Sequence, residues 1–167
     1  MRLMPDAETK FMAKIAELLP GTAGYGVFEA RGETDTLLRA HICSELERLK
    51  EKIAYLKASA LDEGEEDMLE ELDKIEVRMT RTIDALRAAD YTDTPFFRQK
   101  EVSVEDLDRI CSYDRELIDD LELLTIDVMA MKYETIGNLT LREAEGTLAS
   151  IELKVTNRRY IFETGGA

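Results

Sequence analysis

Histidine is almost missing from this chain: its 167 residues contain one, His41. A ferritin-like dimetal centre takes a Glu-x-x-His motif from each of two helices, so that arrangement is excluded. No Ser-His-Asp set can be assembled around His41 from sequence spacing. Cysteine is nearly as scarce. Cys43 and Cys111 lie far apart and form no paired ligand motif, which leads to the expectation of two reduced thiols in a reducing compartment. His41 and Cys43 are two positions apart, so on a helix they do not share a face, and a Cys-His pair within that segment is not expected. Cys111 would reach His41 only through tertiary packing.

Proline and glycine are also few, at three and nine. They leave long unbroken segments rich in Leu, Ala, Glu, Lys, Arg and Met, residues that favour helix. Val is sparse, and no run alternates with period two for long enough to require a sheet. No apolar stretch approaches the length of a membrane span. The opening Met1-Arg2-Leu3-Met4-Pro5-Asp6 lacks the apolar centre of a signal peptide, so a cytoplasmic protein is expected.

Positive charge is in short supply: 22 bases against 36 acids give a net charge of −14. Nucleic-acid binding draws its affinity largely from neutralised phosphates, and anionic membranes attract basic segments, so neither partner is expected. A basic protein, a bound cation, or plain solubility fits the acidity.

What the chain does contain is enough apolar material for one core. A composition of 44% hydrophobic and 35% charged residues is that of a globular domain, with no need of covalent staples. Residues 6–19 carry Phe11, Met12, Ile15, Leu18 and Leu19 on one stripe, with Pro5 suited to the first turn and Pro20-Gly21 ending it. A helix this short is marginal alone and must dock on something. Gly21, Gly24, Gly26 and Gly32 then surround Tyr25-Gly26-Val27-Phe28. This stretch lacks the Lys-Ser/Thr ending and preceding strand of a phosphate-cradling loop, so it reads as a connector whose Tyr25, Val27 and Phe28 tuck against the core.

The centre of the chain is a helical hairpin over residues 34–90, turning at Asp62-Glu63-Gly64-Glu65-Glu66-Asp67. Ile42, Leu46, Leu49, Ile53, Leu56 and Ala60 form one seam; Met68, Leu72, Ile75, Met79, Thr82, Leu86 and Ala89 form the other. Spacings of three and four suit near-antiparallel packing at about 20°. Leu38, Tyr55 and Ile83 on the flanks call for further helices. Pro95 breaks the pattern; Ser103 with Asp106 marks the N-cap of a third long helix, and Thr140 with Glu143 a capping box for a fourth. In all four, acids come early and bases late, as helix dipoles favour: Asp35 early in the first, for example, and Arg158 late in the fourth.

The expected fold is therefore all-α: an antiparallel up-down four-helix bundle with long helices over 34–61, 65–89, 103–135 and 140–161, plus the short helix 6–19. Residues 1–33 form an N-terminal helix and connector, 34–162 the bundle, and 163–167 a disordered tail.

The third helix is the least ordinary. Leu107, Ile110, Leu117, Ile118, Leu121, Leu124, Val128 and Met131 form one apolar arc, and Asp114 falls inside it. A carboxylate there is either a metal ligand or perturbed acid, or it meets an Arg or Tyr across the core. Glu116, Asp119, Asp120 and Asp127 share another face about 100° wide. Glu116 and Asp120, one turn apart, repel unless something cationic sits between them; such a pair can bridge Mg²⁺ or Mn²⁺. Glu116-x-x-Asp119 and Glu63-x-x-Glu66 fit the letters of an all-α pyrophosphatase, though its other residues are missing. A second apolar stripe, Ile126, Met129, Tyr133 and Ile136, and the pair Phe96-Phe97 are either covered by residues 6–33 or left as an interface.

The function these features favour is a non-enzymatic interaction or assembly module, binding a protein partner or self-associating. Glu116, Asp119, Asp120 and Asp127 would choose the partner, with Ile126, Met129 and Tyr133 supplying apolar contact. The alternative is a divalent-metal protein or Mg²⁺-dependent phosphohydrolase, with Asp114, Glu116 and Asp120 as ligands and Mg²⁺ or Mn²⁺ as the ion.

Overall fold

The computed structural model describes residues 6–163, with side chains from Glu8 onward. Pro5 and residues 164–167 of the expected tail lie outside the described residues. Among those described there are helices and no strands: α1 (Asp6–Leu18), α2 (Arg31–Glu63), α3 (Glu66–Ala88), α4 (Pro95–Arg98), α5 (Val104–Ala130) and α6 (Asn138–Glu163). None is long and apolar enough to cross a membrane.

The α2–α3 hairpin forms where the sequence places it. Its seam residues Ile42, Leu46, Leu49, Ile53 and Leu56 are closed to solvent, as are Leu72, Met79 and Leu86 opposite them. Each such leucine is worth about 1.5–3 kcal/mol in burial. Gly64 ends α2 at φ +73°, the left-handed conformation that lets Glu65 N–H reach back to the Ala60 carbonyl at 2.9 Å. Leu38 and Ile83 are covered by other elements, but Tyr55 stays 65% exposed.

Helix ends differ from expectation in instructive ways. α2 starts at Arg31 rather than residue 34, because a 3₁₀ turn at Phe28–Ala30 feeds straight into it. Ser103 caps α5 as read, its Oγ accepting from the Asp106 N–H at 3.1 Å. That helix stops at Ala130, short of residue 135: Met131 turns to extended backbone and is buried, and the Thr135 and Ile136 N–H groups fold back on the Lys132 carbonyl. α6 begins at Asn138, its Leu141 N–H bonding the Gly137 carbonyl, so Thr140 lies inside the first turn rather than capping it. Where Pro95 is expected only to break the pattern, it instead starts the four-residue helix α4 at N1, where a missing N–H costs nothing.

Each long helix packs on two others: α2 on α3 and α5, α6 on α3 and α5. The two hairpin pairs are antiparallel, with Arg39 reaching the Leu86 carbonyl and Arg109 that of Ile161. α2 and α5 run in the same direction: Asp35 and Asp114 share one partner, and further along His41 and Glu45 line a cleft with Ile118, Glu122 and Thr125. The segment 89–103, with α4, therefore carries the chain from α3 to the start of α5, packing on α6 on the way. Tyr25, Tyr91, Phe96, Phe97 and Phe162 cluster with it, Phe96 stacking on Phe162 at 5.4 Å between ring centres. α1 docks on α5 through the fully buried Phe11 and Ile15, which belong to the same core as the long helices.

Candidate functional site

Asp114 meets both an arginine and a tyrosine. It stands on α5 at 1% exposure, facing the end of α6. Arg158 donates from Nε to Asp114 Oδ1 at 2.9 Å and from Nη2 to Oδ2 at 2.7 Å, while Nη1 reaches Asp35 Oδ1 on α2 at 2.6 Å. The Tyr25 hydroxyl donates to Asp114 Oδ2 at 2.6 Å and accepts from Arg158 Nη2 at 2.9 Å. The other Asp35 oxygen accepts from Arg39 Nε at 3.0 Å, so two cations balance two anions. The Arg158 guanidinium lies against two mutually touching aromatic rings, about 5 Å from the ring centres of Tyr91 and Phe162. Burial opposes its charge, yet Asp114, Tyr25 and Asp35 outweigh that, and its pKa stands well above the ordinary arginine value. Burial first, then Asp114, pushes the Tyr25 phenol well above its usual range.

The glycine-rich connector exists to deliver Tyr25 into this network. Gly24, at φ +79°, lies against Met12 so closely that a Cβ would fall 2.1 Å from its sulfur. Buried Arg31 then staples the connector to the α4 segment: Nε donates to the Tyr25 carbonyl at 2.9 Å, and Nη1 to the carbonyls of Phe96 and Gln99 at 2.9 and 2.8 Å. Tyr25 is buried as expected, Phe28 is half-buried, and Val27 is 47% exposed.

The acidic face of α5 divides. Asp120 accepts from Ser150 Oγ at 2.9 Å and Lys154 Nζ at 2.6 Å on α6, and Glu116 lies 3.9 Å from the same lysine. The cation that this pair requires is Lys154. Asp119 points outward and pairs with Arg115 at 3.3 Å; Asp127 lines a shallow groove with Leu123, Glu143 and Gly146. Asp114 is not brought together with Glu116 and Asp120. Among the described residues no three His, Cys, Asp or Glu side chains are grouped to hold a metal ion. Both cysteines are free and buried. Burial, then Asp114, Glu8 and Asp108, raises the Cys111 thiol far above its usual value, and burial raises that of Cys43, which makes both poor nucleophiles.

The second stripe of α5 is where apolar surface is left over. Ile126 is 66% exposed and Met129 43%, and Leu123, outside the expected stripe, is 50% exposed. Tyr133 and Ile136 are half-buried, and Phe96-Phe97 is absorbed into the aromatic cluster. Leu123 faces the groove toward α6; for Ile126 and Met129, length explains the exposure. The 13 residues of α1 against the 27 of α5 correspond to about 20 Å of helix laid on about 40 Å. Beyond Leu18, the last residue of α1, a cleft of about 380 Å³ opens between α2 and α5, floored by Ile118 and Leu121. Comparison with family models, curated proteins and solved structures finds no match.

Proposed function

We propose that this chain is a non-catalytic protein-binding module: a four-helix bundle of up-down chain direction, with α3 and α5 on a diagonal, whose binding face is the C-terminal half of α5. The observation that carries the reading is the apolar ridge Leu123, Ile126 and Met129, three large side chains exposed within seven positions, of which Ile126 also lines an apolar cleft. Single exposed apolar residues are ordinary, whereas a contiguous patch marks a binding surface. The acids Asp119 and Asp127 flank the ridge and supply a polar rim, as binding patches have. The buried cluster around Asp114 supports the same reading from the other side. Asp114, Arg158, Asp35 and Tyr25 engage one another, which suits a core that must hold three helices and a connector in register. A second copy of the chain or a different protein fits this face.

The test is the double variant Ile126→Asp with Met129→Asp. Both positions are exposed, so thermal unfolding should change little, while association is lost. Association is read by light scattering of the purified protein and by capture of partners that rebind in purified form. A variant that keeps every association of the wild type contradicts the reading.

A further inference from the structure

Resting on that reading, we propose that the occupant of the α2–α5 cleft is one amphipathic helix of a different protein, with lysine or arginine along the margins of its apolar stripe. The cleft is lined by Leu18, Ile118, Leu121 and Ile126, with Glu45 and Glu122 on its edges. Its walls are two helices running side by side, and such a trough takes a third helix along its length. α1 already shows the mode on the same helix α5: a single short helix held by Phe11 and Ile15, one turn apart. The incoming helix would lie past the end of α1 and cover Ile126 and Met129.

Charge selects among occupants. At the mouth of the cleft one lysine, Lys14, is paired with Glu122 and also feels Glu17 and Asp119, and Asp119 in turn pairs with Arg115, which leaves three acids for two bases. On the facing edge Glu45 is matched by Arg48 at 2.9 Å and adds no positive excess. A second copy would bring another net charge of −14 against these acids, and an anionic membrane would meet the same repulsion. A helix with basic margins gains from them.

The experiment titrates the full chain against a labelled synthetic helix, read by fluorescence anisotropy. The helix carries leucine at alternating three- and four-residue spacing with lysine on the margins; its twin carries glutamate in place of lysine. The lysine peptide is expected to bind at least about tenfold more tightly than its twin, and to weaken as salt rises. Ile126→Asp should remove most of that affinity, while Val77→Asp, at an exposed apolar position on α3, should leave it unchanged. Equal affinities for the two peptides, or full affinity in Ile126→Asp, overturn the proposal. Sedimentation of the free chain separates it from the broader reading: a dimer dispersed by Ile126→Asp overturns the basic-helix occupant and leaves a binding module standing.

Discussion

Arg158 holds Asp114 through two parallel hydrogen bonds, Nε to Oδ1 and Nη2 to Oδ2, with both side chains sealed from water. An isolated buried charge is far too costly to survive, so each residue depends on the other, with Asp35 and Tyr25 completing their hydrogen bonds. Truncating one member should therefore be severe. Asp114→Asn or Arg158→Met is expected to cost about 3–5 kcal/mol in chemical denaturation. Asp114→Leu with Arg158→Met removes both charges and should cost clearly less than the sum of the two single changes. Simple additivity would mean that the pair is not coupled as its geometry requires.

Tyr25→Phe deletes a hydroxyl that bonds both members of that pair and should cost about 1–3 kcal/mol. The same hydroxyl gives an alkaline signature. An unfolded tyrosine ionises near pH 10, and in the folded chain burial and then Asp114 raise Tyr25 well above that. A raised folded value means the stabilisation is complete below about pH 10 and is lost as pH climbs toward the folded value. Wild-type stability should fall on the alkaline side. The fall should be shallower in Tyr25→Phe, leaving the parts due to the buried thiols of Cys43 and Cys111 and to Tyr113, whose pKa burial and Asp114 push up to about 12.

Two glycines should respond in opposite directions to the same substitution. Gly24→Ala puts a Cβ into Met12 at a positive φ and should destabilise by more than about 1 kcal/mol. Gly146 sits inside α6 with nothing within 4 Å of the added atom, so Gly146→Ala should stabilise by about 0.5–1 kcal/mol. Thermal melts of the two variants decide both signs.

The thiols offer a check on burial. Native protein should react slowly with a disulfide reagent at neutral pH, and both Cys43 and Cys111 should become fast only on unfolding. Rapid native modification of Cys111 would mean that α1 lifts from α5.

Which parts of this arrangement were legible follows from which signals are local. The seams Ile42–Leu56 and Leu72–Leu86, and the arc around Leu117, repeat with the helix period and are buried as that period requires. Asp114 stood out because a charge in an apolar arc is an anomaly wherever its partner lies. Its partners did not stand out. Asp35 and Arg158 each fit a local role, an acid at a helix start and a base at a helix end, and the contact between them spans 123 positions. Arg31 looked like part of a loop, although it ties that loop to Phe96 and Gln99. Pro95 read as a breaker because four residues are too few to show a period. The second stripe was visible, but whether residues 6–33 covered it depended on the reach of α1, a tertiary fact.

The most direct measurement compares partner association of the wild type with that of Ile126→Asp/Met129→Asp at matched thermal stability. The expected result is an unchanged melting transition with association abolished. A folded double variant that binds its partners as the wild type does would contradict the assignment of function to this face of α5.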